Sequence, residues 1–143
     1  MLEQSFREMY NKVNLSFYRK VFARMRERRG SLSATEAFSL EIIQALDRPT
    51  VSQYARFIGV SRPNATYKVN SLIKKGYLRK LRSQADKRAY YLELTDKSHA
   101  YAQMIDDSMQ AVFRRIQESF TPEETHALDR MLAIIANELV LDN

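Results

Sequence analysis

Residues 50–95 read TVSQYARFIGVSRPNATYKVNSLIKKGYLRKLRSQADKRAYYLELT, and the fold turns on how this stretch divides. Thr50-Val-Ser-Gln53 has the form of a capping box, in which a hydroxyl and a side-chain amide each satisfy a backbone group that the first helical turn leaves without a partner. A short helix is expected from Val51, and Gly59 ends it, because glycine enters the left-handed backbone region at no steric cost. Ser61 caps the next helix, Pro63 is tolerated in its first turn, and Gly76 stops it. Ala55 fits a close approach of two helices and Gly59 a steep turn between them, the form of a helix-turn-helix. Strand material follows at 77–82, a turn at 83–87, then 89–95 with Tyr90, Leu92 and Leu94 on one face. A helix-turn-helix followed directly by a hairpin is a winged helix.

The charge of this region suggests what it meets. Between Arg48 and Tyr91 there are 11 Lys or Arg residues and one acid, Asp86, a net of +10 in a chain whose total is +6. A short basic run is usually a solvated face. This excess instead favours a polyanion, and nucleic acid over membrane, since no basic amphipathic helix with a broad apolar face accompanies it.

At about 100° per residue, Ala65, Val69 and Leu72 share the inward side of the second helix. Opposite lie Pro63, Asn64, Tyr67, Asn70 and Ser71, with Thr66 and Lys68 on the flanks, a face rich in hydrogen-bonding groups and without a carboxylate. Asn matches the N6 and N7 edge of adenine, Thr and Tyr offer hydroxyls and apolar contact, and Arg62 and Lys68 reach phosphate or guanine. Tyr67 also reads as a packing residue. The candidate DNA-binding set is Ser61, Arg62, Pro63, Asn64, Thr66, Tyr67, Lys68, Asn70 and Lys74, joined by Asp86, Lys87 and Arg88 at the hairpin tip. There Arg88 suits a narrow minor groove. Asp86 reads either as an orienting partner, for Arg88 or for the turn backbone, or as half of a surface ion pair worth at most ~1 kcal/mol.

On the flanks, Phe6, Tyr10, Val13, Phe17, Val21 and Met25 form one stripe on a helix expected over 2–28, with Gly30 as its cap. Ser33-Ala-Thr-Glu36 is a second capping box, opening a helix with Phe38, Ile42, Ile43 and Leu46 inward. From Asp96 a long helix carries Tyr101, Ile105, Met109, Val112, Phe113 and Ile116. Thr121-Pro122-Glu123-Glu124 starts a last one with Leu128, Met131, Leu132, Ile135 and Leu139. The terminal stripes are too long for one 143-residue chain to cover, which predicts a homodimer.

Residues 32–95 resemble the MarR family of winged helix-turn-helix bacterial transcriptional regulators. The match is carried by SRP at 61–63, KKGYL at 74–78, and DKR with LELT between 86 and 95. The resemblance implies a mainly α fold with a small β-hairpin, a single MarR-type domain over 1–143. Its winged-helix lobe spans about 32–95, and its dimerisation helices about 1–30 and 96–143. It further implies double-stranded DNA with a pseudo-palindromic site as partner, with a helix of each protomer in the major groove and a wing in the minor groove. A small-molecule effector is implied between the helices and the lobe, and Tyr10, Phe17, Phe38 and Tyr101 are candidate linings that read equally as core. Two departures stand out: Tyr67 and Lys68 replace what is often Arg and an apolar residue, and Ser98 stands where Gly commonly follows the LT pair.

Other chemistry is excluded or unsupported. The absence of cysteine rules out disulfides and thiolates. His99 and His126 are scattered, so neither a metal site nor a cofactor is expected. Asp106-Asp107 and Glu123-Glu124 read as a solvated face and a helix first turn. No phosphate loop or nucleophile elbow exists, so no enzyme is expected. The N-terminus MLEQSFREMYNK lacks an apolar leader, and no run approaches the roughly 20 apolar residues that span a bilayer, which predicts a cytoplasmic protein. The function read from the sequence is a ligand-responsive homodimeric repressor. The alternative is a winged-helix module for protein interaction or architectural DNA binding.

Overall fold

The computed structural model describes residues 1–26 and 32–139, with every side chain among them except those of 100–108. The order is α1 (Leu2–Met25), α2 (Ala34–Ala45), α3 (Val51–Ile58), α4 (Arg62–Lys74), β1 (Leu78–Arg82), β2 (Tyr90–Leu94), α5 (Asp96–Ser119) and α6 (Pro122–Glu138). These form two compact units, residues 1–101 and 102–143. The expected cap at Gly30 and the side chain of Tyr101 lie outside the described residues.

Local chemistry sets the helix limits in the first unit. Ser33 with Glu36 and Thr50 with Gln53 both close as full capping boxes, and the Ser61 hydroxyl accepts the Asn64 N–H. Gly59 ends α3 at φ 70°, and Gly76 follows α4 at φ 84°, both left-handed. Without the C-cap glycine a side chain would strain the turn between α3 and α4. The hairpin pairs Leu78 with Leu94 and Arg82 with Tyr90. Its outer edge continues into the α2–α3 connection, where the Leu92 N–H donates to the Pro49 carbonyl at 2.8 Å and Thr50 bridges to Tyr91.

Leu40, Ile43, Tyr54, Ala65, Val69, Leu72, Tyr77, Leu78 and Leu92 make the core of this unit. Each large member stabilises it by about 1.5–3 kcal/mol relative to exposure. On α2 the fully covered positions are Ala37, Leu40 and Ile43, whereas Phe38, Ile42 and Leu46 are half-buried. The expected stripe shifts because α2 packs against α1 as well as β2, so more than one face is covered. Tyr90 also differs: Leu92 and Leu94 sink, but Tyr90, at the distal end of the strand, stays exposed. The Tyr54 hydroxyl shares a 2.6 Å hydrogen bond with Ser39, and burial, partly offset by that bond, raises its pKa. Between α1 and α2, Arg24 Nε meets Glu41 Oε1 at 2.7 Å with both side chains buried. Deleting one member of such a pair costs about 3–5 kcal/mol.

In the second unit α6 starts at a full capping box, Thr121 with Glu124, and has Pro122 in its first turn. None of its residues is buried.

Candidate nucleic-acid interface

Burial orients α4. Ala65, Val69 and Leu72 are each fully covered, which turns the opposite face outward and leaves Tyr67 79 % exposed, so its ring does not pack on this chain. Ser61, Arg62, Pro63, Asn64, Asn70 and Lys74 are exposed as well, with Thr66 and Lys68 half-buried on the flanks. Ser71 departs from the expected outer face. Its hydroxyl donates to Glu36 Oε2 at 3.2 Å, and Lys75 Nζ meets Glu36 Oε1 at 2.8 Å, so the last turn of α4 is tied to the start of α2. Burial pushes the Glu36 carboxyl up, but hydrogen bonds from Lys75 and Ser33 outweigh it and hold the group below its ordinary pKa.

The hairpin tip is closed by its own groups. Asp86 Oδ1 accepts the Arg88 backbone N–H at 3.0 Å, the Asp86 N–H donates to Ser83 Oγ at 3.2 Å, and Arg82 Nε donates to the Lys87 carbonyl at 2.9 Å. Of the readings open for Asp86, geometry favours the turn backbone. Among the described residues its carboxylate forms no ion pair with the Arg88 guanidinium. At the base of the hairpin Glu93 accepts from Arg79 Nε and Arg48 Nη2, each at 2.8 Å. The Arg79 hydrogen bond is the main reason the Glu93 carboxyl lies below its ordinary pKa, opposed by burial and aided by the charges of Arg79 and Arg48. Arg48 makes this contact from a connection in which it and Asp47 both have positive φ, 55° and 52°.

Helix and hairpin together bound a concave groove of about 440 Å³. Thr50, Val51 and Ser52 line it from the start of α3, Arg62 and Thr66 from α4, and Lys80, Asp86, Arg88, Ala89 and Tyr90 from the hairpin. Three cations therefore converge on a hollow whose one carboxylate is already held by backbone. Such a surface suits a phosphate backbone lying between two reading elements. The candidate set contains Arg62, Thr66, Asp86 and Arg88 but not Thr50, Ser52, Lys80 or Tyr90. Strand alternation is the signal that could have found Lys80, which pairs across from the buried Leu92.

The four candidate effector linings fare unevenly. Phe17 and Phe38 meet with ring centroids 5.8 Å apart, whereas Tyr10 is exposed. His99 lines a separate hollow beside Asp47, Arg48 and Glu93. Among the described residues no three His, Asp or Glu side chains gather as metal ligands do, and no helix is long and apolar enough to cross a membrane.

A family model described as the MarR family matches residues 32–90, which span α2 to the start of β2. Over these residues the lobe is similar to the MarR family. A curated relative, the transcriptional regulator AdcR of Streptococcus pneumoniae, is 27% identical over 93 residues, covering 63% of this chain and 64% of its own length. Among solved structures, AdcR of Streptococcus pyogenes superposes with a TM-score of 0.55 at 21% identity, covering 97% of this chain and 98% of that one. FabT of Streptococcus pneumoniae, crystallised in complex with DNA, gives 0.54 at 21% identity, covering 94% and 96%. At this identity the structural likenesses speak for the fold alone. MarR-family relatives are transcriptional regulators rather than enzymes.

Proposed function

We propose that this protein is a sequence-specific DNA-binding transcriptional regulator that acts as a homodimeric, ligand-responsive repressor in the cytoplasm. The observation that carries the reading is the groove shared by α4 and the hairpin: Arg62, Lys80 and Arg88 converge there, beside an exposed helix face of Asn64, Tyr67 and Asn70 without a carboxylate. Asn64, Tyr67 and Asn70 read base edges in the major groove, Lys74 and Lys80 hold phosphates, and Arg88 enters the adjacent minor groove.

The dimer rests on a second observation. On α6 and its C-cap, Met131, Leu132, Ile134, Ile135 and Leu139 are 37 to 65 % exposed, and on the first turns of α1 Phe6, Tyr10 and Val13 are 39 to 59 % exposed. Apolar surface of this extent favours a self-complementary partner, and a second copy satisfies it with one twofold axis. The whole chain, 1–143, then acts as one MarR-type domain, its lobe at about 32–95 and its dimerisation helices at about 1–30 and 96–143. Two lobes read a pseudo-palindrome with half-sites one helical turn apart, roughly 10 bp. A small-molecule effector lowers DNA affinity, with Tyr10, Phe17, Phe38 and Tyr101 as its candidate linings.

An electrophoretic shift with the protein's own upstream region against shuffled DNA, at stated salt, tests the reading. Preferential retention of the upstream fragment is expected. Equal retention of both fragments indicates an architectural role, and no retention indicates a protein-interaction module.

A further inference from the structure

The end of α4 is held in an unusual way. Its helix stops with the Tyr77 N–H bonded to the Leu72 carbonyl at 2.9 Å and the Gly76 N–H to the Ile73 carbonyl at 3.0 Å, the paired bonds of a Schellman motif. Past this motif the carbonyls of Lys75, Gly76 and Tyr77 must find donors outside the helix. Residues 95–98 supply all three. Lys97 Nζ donates to the Lys75 carbonyl at 3.0 Å, Thr95 Oγ1 to the Gly76 carbonyl at 2.5 Å, and Ser98 Oγ to the Tyr77 carbonyl at 2.7 Å. The Tyr77 carbonyl accepts the Thr95 N–H as well, at 3.1 Å. The Lys97 ammonium also sits 4.4 Å from the Tyr77 ring centroid, and Ser98 has no exposed surface.

The buried Ser98 hydroxyl thus has a defined acceptor. The cation of Lys97 lies at the negative end of the α4 dipole, where positive charge is favoured. The 75–77 segment is also the only covalent link between α4 and β1, so whatever fixes these carbonyls fixes the angle at which helix and hairpin are presented together.

We infer that Lys97 and Ser98 are positioning residues for DNA recognition: they lock the junction between the reading helix and the wing, and so couple the docking of the two. The inference rests on the DNA-binding reading above. Neither residue lines the groove, so neither needs to touch DNA.

The test compares the unaltered protein with Ser98→Ala, Lys97→Met and Lys97→Arg on two duplexes, the tightest recovered from a random-sequence pool and a shuffled control, across a salt series. Hydrogen exchange at the Gly76 and Tyr77 amides is followed in parallel. Ser98→Ala and Lys97→Met are expected to lose roughly tenfold in affinity for the selected duplex and to exchange faster at both amides, while binding to the control and the salt slope stay unchanged. Lys97→Arg, which keeps a cationic donor, is expected to recover most of the loss. Affinity for the selected duplex equal to that of the unaltered protein overturns the inference, as does a parallel loss on both duplexes with a shallower salt slope, which marks Lys97 as a phosphate contact. Absence of binding by the unaltered protein removes the DNA-binding reading itself, and this inference with it.

Discussion

α4 and α6 carry apolar stripes of the same period and treat them in opposite ways. On α4, Ala65, Val69 and Leu72 are completely covered by the lobe, and the exposed positions are polar apart from Pro63 and Tyr67. On α6 no residue is buried, and Met131, Leu132 and Ile134 are between 42 and 54 % exposed. Periodicity therefore reports that a helix has an apolar face, not whether its own chain covers that face. In α4 the stripe specifies the fold. In α6 it stays uncovered, and this is the surface from which the proposed dimer would be built.

The contrast breaks most sharply on paired truncations. Leu72→Ala should cost about 2–5 kcal/mol of unfolding free energy at any protein concentration, since it leaves a cavity in a closed core. Leu132→Ala should change stability mainly where dimers form, giving a midpoint that depends on protein concentration. Chemical denaturation at two widely spaced concentrations separates them. Equal, concentration-independent losses would mean that α6 is covered like α4.

A smaller effect sharpens the distinction within α4 between its two outward roles. Asn64→Ala and Tyr67→Ala should each lose about 1–3 kcal/mol on the preferred duplex and little on a shuffled one. Lys74→Ala should weaken both alike and flatten the salt dependence by about 0.9 for each phosphate it no longer neutralises. Titrations on both duplexes across salt check this, and identical behaviour of the two classes would reverse the assigned orientation of the helix.

Asp86 gives a test of sign. Asp86→Asn keeps an oxygen that can accept the Arg88 N–H and removes a negative charge, so it should bind the preferred duplex at least as tightly as the unaltered protein. Asp86→Ala loses that oxygen and should bind more weakly, although it too removes a charge. Affinities of both variants measured at two salt concentrations check this. If both bind more tightly, Asp86 only tempers the local potential.

The smallest effect concerns pH. The Glu36 carboxyl has a depressed pKa in the folded lobe, so its contribution is present above its unfolded pKa and is lost as pH falls through the folded value. Glu36→Gln, which can keep the capping box, should reduce the loss of lobe stability on acidification by less than about 1 kcal/mol, because the Lys75 partner is about one-third exposed. Thermal melts at neutral and acid pH measure it, and an unaltered slope would take the Glu36–Lys75 tie out of the account.

Features set by near neighbours in the chain are legible in the sequence. The capping boxes at Ser33, Thr50 and Thr121, the glycines 59 and 76 and the inward triplet of α4 all act within a turn or two, so spacing alone reveals them. Long-range choices are hidden. Glu36 reads as a capping residue, and nothing local says that the same carboxylate also holds Ser71 and Lys75. The Arg24–Glu41 pair joins residues 17 apart on different helices, and Arg48 reaches Glu93 across 45. Charge counting finds the cations of the middle segment but cannot divide those that face the groove from those, like Arg79, that neutralise a carboxylate. The left-handed pair Asp47 and Arg48 is invisible for a further reason: Arg has no preference for that region, and only its tertiary contact rewards it there.

The wing tip has a consequence for the thermodynamics of recognition. Most loops that enter a groove must surrender their conformational freedom on arrival, at about 1–2 kcal/mol for each backbone residue fixed. Here Ser83, Asp86 and the Arg82 side chain already hold the turn to itself before any duplex is present. The entropy of ordering is met during folding, so the contact proposed for Arg88 would reach the binding constant with little deduction for the turn backbone, and its benefit should appear as slow dissociation rather than fast capture.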